Sequence, residues 1–170
     1  MAATKDYAGK ILISLADGKN LGEVKDLYFD PEVTKIVAAH LGKSGIINRK
    51  SLMVDVSHVK LFGLDAWLVD GSDIVIAKDD VQGAESYLLG DALRGRDIQT
   101  DGGTKLGTVG DILIDAQNNV VGFALSKVNV EGPIAEAKAI ARVAISSLGS
   151  EKEPMTAILE KAETVKVPGA

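Results

Sequence analysis

One ten-residue pattern occurs twice in this chain. Leu21-Gly22-Glu23-Val24-Lys25-Asp26-Leu27-Tyr28-Phe29-Asp30 returns as Leu106-Gly107-Thr108-Val109-Gly110-Asp111-Ile112-Leu113-Ile114-Asp115, 85 residues on in a sequence of 170. The Leu, Gly, Val and both Asp positions are identical, and Leu27/Ile112 and Phe29/Ile114 exchange one bulky apolar side chain for another. A repeat offset by half the length predicts two copies of one small domain. Each copy has room for a modest core but sits near the size where stability needs outside help. Docking of one copy on the other is the expected source of it.

The composition suits folded domains and removes several chemistries. A hydrophobic share of 46% with 25% charged residues is that of an ordinary globular chain. There is no cysteine, which excludes disulfides, thiolate catalysis and cysteine-ligated zinc. The start, Met1-Ala2-Ala3-Thr4-Lys5-Asp6, lacks an apolar core, so no secretory signal is expected. Apolar runs such as Val120 to Leu125 fall far short of the ~20 residues of a membrane helix. The expectation is a soluble, cytoplasmic protein with no transmembrane segment. The net charge of −5 is shared: residues 1–85 hold ten basic and thirteen acidic side chains, residues 86–170 nine and eleven. Phosphate-backbone binders cluster Lys and Arg. The only local basic pair, Arg49-Lys50, reads as a solvated loop, and direct nucleic-acid binding is not expected.

Strand patterns recur in the same order in both copies. In the first, Tyr7 to Leu15 reads as a strand, Asp17-Gly18-Lys19-Asn20 as a hairpin turn, Gly22 to Phe29 as a second strand ended by Asp30-Pro31, and Lys35 to Leu41 as a third, together a meander. A loop over 42–51 leads to Leu52–Val56, then a connection over 57–63, Ala66–Val69 and Ile74–Ile76. Six short strands with turns between them point to a small barrel. The second copy repeats Asp97–Gln99, the Asp101-Gly102-Gly103-Thr104 turn, Val109–Ile114, a Gln117–Asn119 turn and Val120–Val128. Val143–Ser146 aligns with Val54–Ser57, and Thr156–Leu159 with Ala66–Val69. Over Ile134–Ala144, rich in Ala, Glu and Lys, a loop or short helical turn to about Lys138 and then a strand is expected. Near-helical spacing of Val81, Ala84, Leu88 and Leu89 predicts a linker with a short helix.

No complete catalytic or metal constellation emerges. Asp26 with Asp30, and Asp111 with Asp115, are four apart in a strand, about 13 Å, too far to share one ion unaided. The expected roles are hydrogen bonding by the first Asp and turn initiation by the second. His40 and His58 align with Ala124 and Ser147 in the other copy and have no triad or metal spacing around them. Gly102-Gly103-Thr104-Lys105 lacks the remaining P-loop glycine at Ile98 and precedes a strand, so it is a turn. Trp67, aligned with Ala157, is expected in the core.

The Asp-Gly turn, the Leu-Gly-x-Val-x-Asp-φ-φ-φ-Asp run and the φ-x-φ-Ser strand together resemble the PRC-barrel family. That family is named from the cytoplasmic domain of the photosynthetic reaction-centre H subunit, and the C-terminal domain of ribosome maturation factor M is similar to it. The matching residues are Asp17, Gly18, Leu21, Gly22, Val24, Asp26, Asp30 and Val54–Ser57, then Asp101, Gly102, Leu106, Gly107, Val109, Asp111, Asp115 and Val143–Ser146. The resemblance implies an all-β chain of two tandem six-stranded barrels, over 1–80 and 91–170, joined by a short helical linker over 81–90. It also implies an adaptor habit, and it carries over no catalytic, cofactor-binding or metal residue. The expected function is therefore a non-enzymatic protein-binding or scaffold module, forming a homodimer or engaging another protein through exposed strand edges. The alternatives are a ribosome assembly factor acting through a ribosomal protein, and a small-molecule binder using a groove between the barrels.

Overall fold

The computed structural model describes residues 1–168, which are mostly strand with a few short helices. Contacts divide the chain into two compact units. One, here the carboxy-terminal unit, is Met1–Thr4, Glu32–Lys35 and Gly90–Ala170; the other, the amino-terminal unit, is Lys5–Pro31 and Ile36–Leu89. Neither is a contiguous half of the chain.

In chain order, β1 (Ala2–Ala3) belongs to the carboxy-terminal unit. The amino-terminal unit follows with β2 (Ile11–Ser14), β3 (Asn20–Glu23), β4 (Asp26–Phe29), β5 (Ile36–Ser44), β6 (Lys50–Asp55), β7 (Val59–Phe62), β8 (Ala66–Val69), β9 (Ile76–Ala77) and β10 (Leu88–Leu89). The carboxy-terminal unit continues with α1 (Gly90–Leu93), β11 (Asp97–Thr100), β12 (Lys105–Ile114), β13 (Val120–Val128), α2 (Pro133–Ala137), β14 (Ala139–Ala141), β15 (Ile145–Ser147), β16 (Met155–Ala157) and α3 (Leu159–Thr164).

The amino-terminal unit has two sheets, ordered β10-β4-β5-β6-β9 and β3-β2-β8-β7. The carboxy-terminal unit has one, β14-β13-β12-β11-β16-β15, with β1 added against β12. These ladders do not close among the described residues, so two six-stranded barrels are not what the hydrogen bonding draws. Each unit has its own core. Leu12, Val24, Leu27, Phe29, Ala39, Val54 and Trp67 are buried in one, where Tyr28, Ala38, Met53 and Ala84 form a separate cluster; Leu93, Ile98, Leu106, Ile112, Phe123, Ile140 and Met155 are buried in the other.

The repeated motif marks where the chain passes from one pairing to the next. Gly22 takes φ +126° and pairs opposite Leu12, as Gly107 does opposite Ile98. At Gly107 a Cβ would lie 2.5 Å from the Lys127 carbonyl oxygen, so no larger residue fits. The next motif residue, Val24 or Val109, is buried and exchanges backbone hydrogen bonds with Gly9 and Lys10 or with Gly95 and Arg96. Its backbone turns to a segment before β2 or β11, and the ladder hands over. In the amino-terminal unit the hand-over breaks the expected strand Gly22–Phe29 into β3 and β4, so the expected meander is spread over two sheets. In the carboxy-terminal unit β12 runs through it with register shifts.

Other expectations shift locally. The first strand begins only at Ile11, after a 3-10 turn over Thr4–Tyr7. The loop expected over 42–51 narrows to 45–49, because β5 and β6 pair out to Ser44 opposite Lys50. The connection expected over 57–63 contains β7, and of the strand expected over Ile74–Ile76 only Ile76 enters β9, Ile74 ending a 3-10 turn that starts at Ser72. The helical turn and strand expected over Ile134–Ala144 are α2 and β14. Strand partners also correct two alignments. Val54 and Ile140 both end the row through Leu27–Ala39 and Ile112–Phe123, so Ile140, not Val143, is the counterpart of Val54. Leu12 faces Trp67 as Ile98 faces Met155, which makes Met155, not Ala157, the counterpart of Trp67.

Candidate functional site

Strand pairing lets one sheet face be compared between the two copies, each within its own unit. Along β2 burial alternates: Leu12 and Ser14 point to the core, Ile11 and Ile13 away from it. The parallel register sets Ile11 beside Ala66 and Ile13 beside Leu68, and β7 places Leu61 opposite Leu68. The outer face of the four-stranded sheet is thus a row of Ile13, Leu68 and Leu61, with Ile11 and Ala66 alongside. Ile11 is 37% and Leu61 55% exposed. In the carboxy-terminal unit the corresponding row is Gln99, Thr156 and Ser147, with Asp97 in the place of Ile11. Those side chains are polar: Thr156 Oγ1 lies 2.9 Å from Ser146 Oγ, Ser147 Oγ accepts from Gly149 N at 3.2 Å, and Asp97 accepts from Thr108 Oγ1 at 2.8 Å and Lys105 Nζ at 2.9 Å. The Lys105 and Thr108 hydrogen bonds hold the Asp97 carboxyl below its usual range. One scaffold position is therefore solvated in one copy and apolar in the other.

A buried polar cluster occupies the repeat motif of the carboxy-terminal unit. Asp111 Oδ1 accepts the backbone N–H of Ile112 at 2.9 Å, Arg94 Nε at 3.2 Å and the hydroxyl of Thr4, while Arg94 Nη2 donates to Thr4 Oγ1 at 2.8 Å. Thr4 and Asp111 are almost fully buried. The cluster ties the segment after β1 to β12, where Ala2 pairs with Ile114. Asp111 Oδ1 thus gathers donors from the segment after β1, from Arg94 and from its own strand. Asp26, the equivalent residue, accepts from Leu27 N at 2.8 Å.

Residues 86–146, which hold this motif, match the family model of the PRC-barrel domain. The chain carries a PRC-barrel domain. A search of curated proteins finds no match. Within the PRC-barrel domain, the second motif aspartate, Asp115, accepts from Gln117 N and Asn119 N at 2.9 Å and from Asn119 Nδ2 at 3.0 Å. These bonds build the turn between β12 and β13 and hold the carboxyl below its usual range, the Asn119 side chain foremost. Gly103, at φ +88°, makes the turn read from Gly102-Gly103-Thr104-Lys105.

The remaining sequence candidates lie outside the matched PRC-barrel stretch. His40 Nδ1 sits 3.0 Å from Tyr28 Oη, with the rings edge-on at 5.3 Å, and Lys78 Nζ stands 5.3 Å over the Tyr28 ring. Burial pushes the His40 pKa down, with Lys43 and Lys78 adding to the shift and Asp26 opposing it. His58 pairs with Asp70 at 3.2 Å on the surface. The two histidines are not brought together. Trp67 is fully buried, packed edge-on against Tyr7 and Phe62 at 5.3 and 4.8 Å. The apolar outer face escaped sequence reading, although the signal was present: Ile11-Leu12-Ile13 is apolar at consecutive positions, the pattern of a strand covered on both faces.

Proposed function

We propose that both copies are PRC-type small β-domains and that the chain is a non-enzymatic, cytoplasmic scaffold module that binds protein through the outer face of the β3-β2-β8-β7 sheet. The observation that carries this reading is the contrast between Ile13, Leu68 and Leu61 and their counterparts Gln99, Thr156 and Ser147. The carboxy-terminal unit has a polar row there, so apolar side chains are not a demand of the fold. Exposed contiguous apolar surface of this kind marks interaction sites. A tandem arrangement is supported by the recurring register, Leu12 on Gly22 and Trp67 as Ile98 on Gly107 and Met155.

A second copy of the chain suits this face as a partner. The ends of its strands carry the ion pairs Lys19–Asp17, Lys25–Glu23 and Lys60–Asp70, so within a chain of net charge −5 the sheet is bordered by balanced charge. Two stacked four-residue-long sheets bury an area of about 13 by 19 Å per copy from strand dimensions, small against standard interfaces, and the association is expected to reverse on dilution. The test is light scattering after size exclusion across a concentration series, with a pull-down in parallel, for the wild type and Leu61→Ser/Leu68→Thr, which takes its polarity from the other copy. Self-association or capture of a partner, lost in the variant, supports the reading. A wild type that stays monomeric and captures nothing, or complexes unchanged in the variant, refutes it.

A further inference from the structure

The β5–β6 hairpin carries a different feature at its tip. Its loop, 45–49, is closed by Gly45 at φ +103°, where a Cβ would meet the Asn48 carbonyl oxygen at 2.8 Å. So tight a turn leaves Ile46 and Ile47 nothing to pack on. They are 100% and 93% exposed, the most exposed large apolar side chains among the described residues. Lys43, Arg49 and Lys50 flank them, all exposed, with Lys50 Nζ 3.8 Å from Asp80. No acidic residue lies between Leu41 and Met53, although the chain as a whole is acidic. The corresponding stretch of the other copy, between β13 and β14, carries Glu131, folds into α2 and buries Ile134. The fold therefore does not require an apolar, cationic tip.

An aliphatic pair held out into water with cations two and three positions away has the chemistry of a bilayer interface. Apolar side chains gain by entering the boundary between headgroups and acyl chains, while Lys and Arg remain with the anionic phosphates. Nucleic acid would use the cations but has no favourable place for two isoleucines. We propose that this hairpin tip anchors the protein to the surface of a membrane rich in anionic lipid, with Ile46 and Ile47 in the interfacial layer and Lys43, Arg49 and Lys50 at the phosphates. The anchor shares no residue with the sheet face proposed for protein binding, and the two stand or fall separately.

The test is co-sedimentation of the full chain with vesicles of phosphatidylcholine alone and of phosphatidylcholine with one part in three phosphatidylglycerol. Binding is expected to the anionic vesicles only and to weaken in high salt. Ile46→Ser/Ile47→Ser abolishes it, and Arg49→Gln and Lys50→Gln each weaken it by about fivefold. Fully exposed tip residues carry no packing, so the variants keep the wild-type thermal transition, which circular dichroism checks. No sedimentation with anionic vesicles overturns the proposal. So does vesicle binding that survives loss of both isoleucines, which would be adsorption by charge alone, or salt-sensitive binding to RNA with none to vesicles.

Discussion

Substituting Asp111 by Ala should damage the carboxy-terminal unit far more than Asp26→Ala damages the other. Asp111 is 5% exposed and receives Arg94, itself 24% exposed, together with the Thr4 hydroxyl and the Ile112 amide. Removing the carboxylate leaves a mostly buried guanidinium and a buried hydroxyl short of an acceptor. Breaking a buried ion pair costs about 3–5 kcal/mol; partial access of Arg94 to water places the expected loss at the lower end, about 3 kcal/mol. For a chain of this size about 2–4 °C of Tm accompanies each kcal/mol, or about 6–12 °C in all. Asp26 is half-buried, and loss of its bond to Leu27 should cost about 1 kcal/mol. Differential scanning calorimetry on both variants measures the comparison. The double variant Arg94→Met/Asp111→Leu, which removes both charges, should recover much of the loss. Equal effects of Asp111→Ala and Asp26→Ala, or a double variant worse than Asp111→Ala, would refute the assignment of Asp111 as the buried acceptor that secures β1.

Three further outcomes are expected. Gly107→Ala should cost well over 2 kcal/mol in urea unfolding, since its Cβ meets the Lys127 backbone, whereas Gly18→Ala, at φ +70° with open space around it, should cost about 1 kcal/mol. Trp67→Ala, which empties the aromatic core of the amino-terminal unit, should cost about 3–5 kcal/mol, read by chemical denaturation with circular dichroism. The lowered pKa of His40 means that its neutral form is favoured by folding. Its contribution is present above the unfolded value near 6.5 and is lost as pH falls toward the folded value. Stability should therefore decline on acidification through that window, and His40→Gln, which keeps a polar partner for Tyr28, should flatten the decline in urea midpoints measured from pH 8 to 5.

The repeat, its turns and its buried positions were legible because they follow from local chemistry. Gly18, Gly103, Asp115 and the Asn118-Asn119 pair each make a turn with atoms a few residues away, and Leu27, Ile112 and Phe123 are apolar where burial requires it. The hand-over at Val24 was not legible, since its bonds go to Gly9 and Lys10, and nothing in Leu-Gly-x-Val-x-Asp says that the partner changes there. Alignment by motif likewise misplaced Val143 against Val54 and Ala157 against Trp67, because loops of unequal length slide the strands between fixed partners.

The sequence by itself determined that the chain is a cysteine-free, β-rich protein carrying one motif twice, because turn propensity and apolar spacing act over a few residues. Tertiary structure alone decided that Thr4 and Arg94 converge on Asp111, that Ile13, Leu68 and Leu61 form one row, and that Ile46 and Ile47 have nothing to cover them. Each of these depends on which segments from distant parts of the chain lie side by side. Pairing at that range is set by the packing of whole sheets, and no local pattern records it.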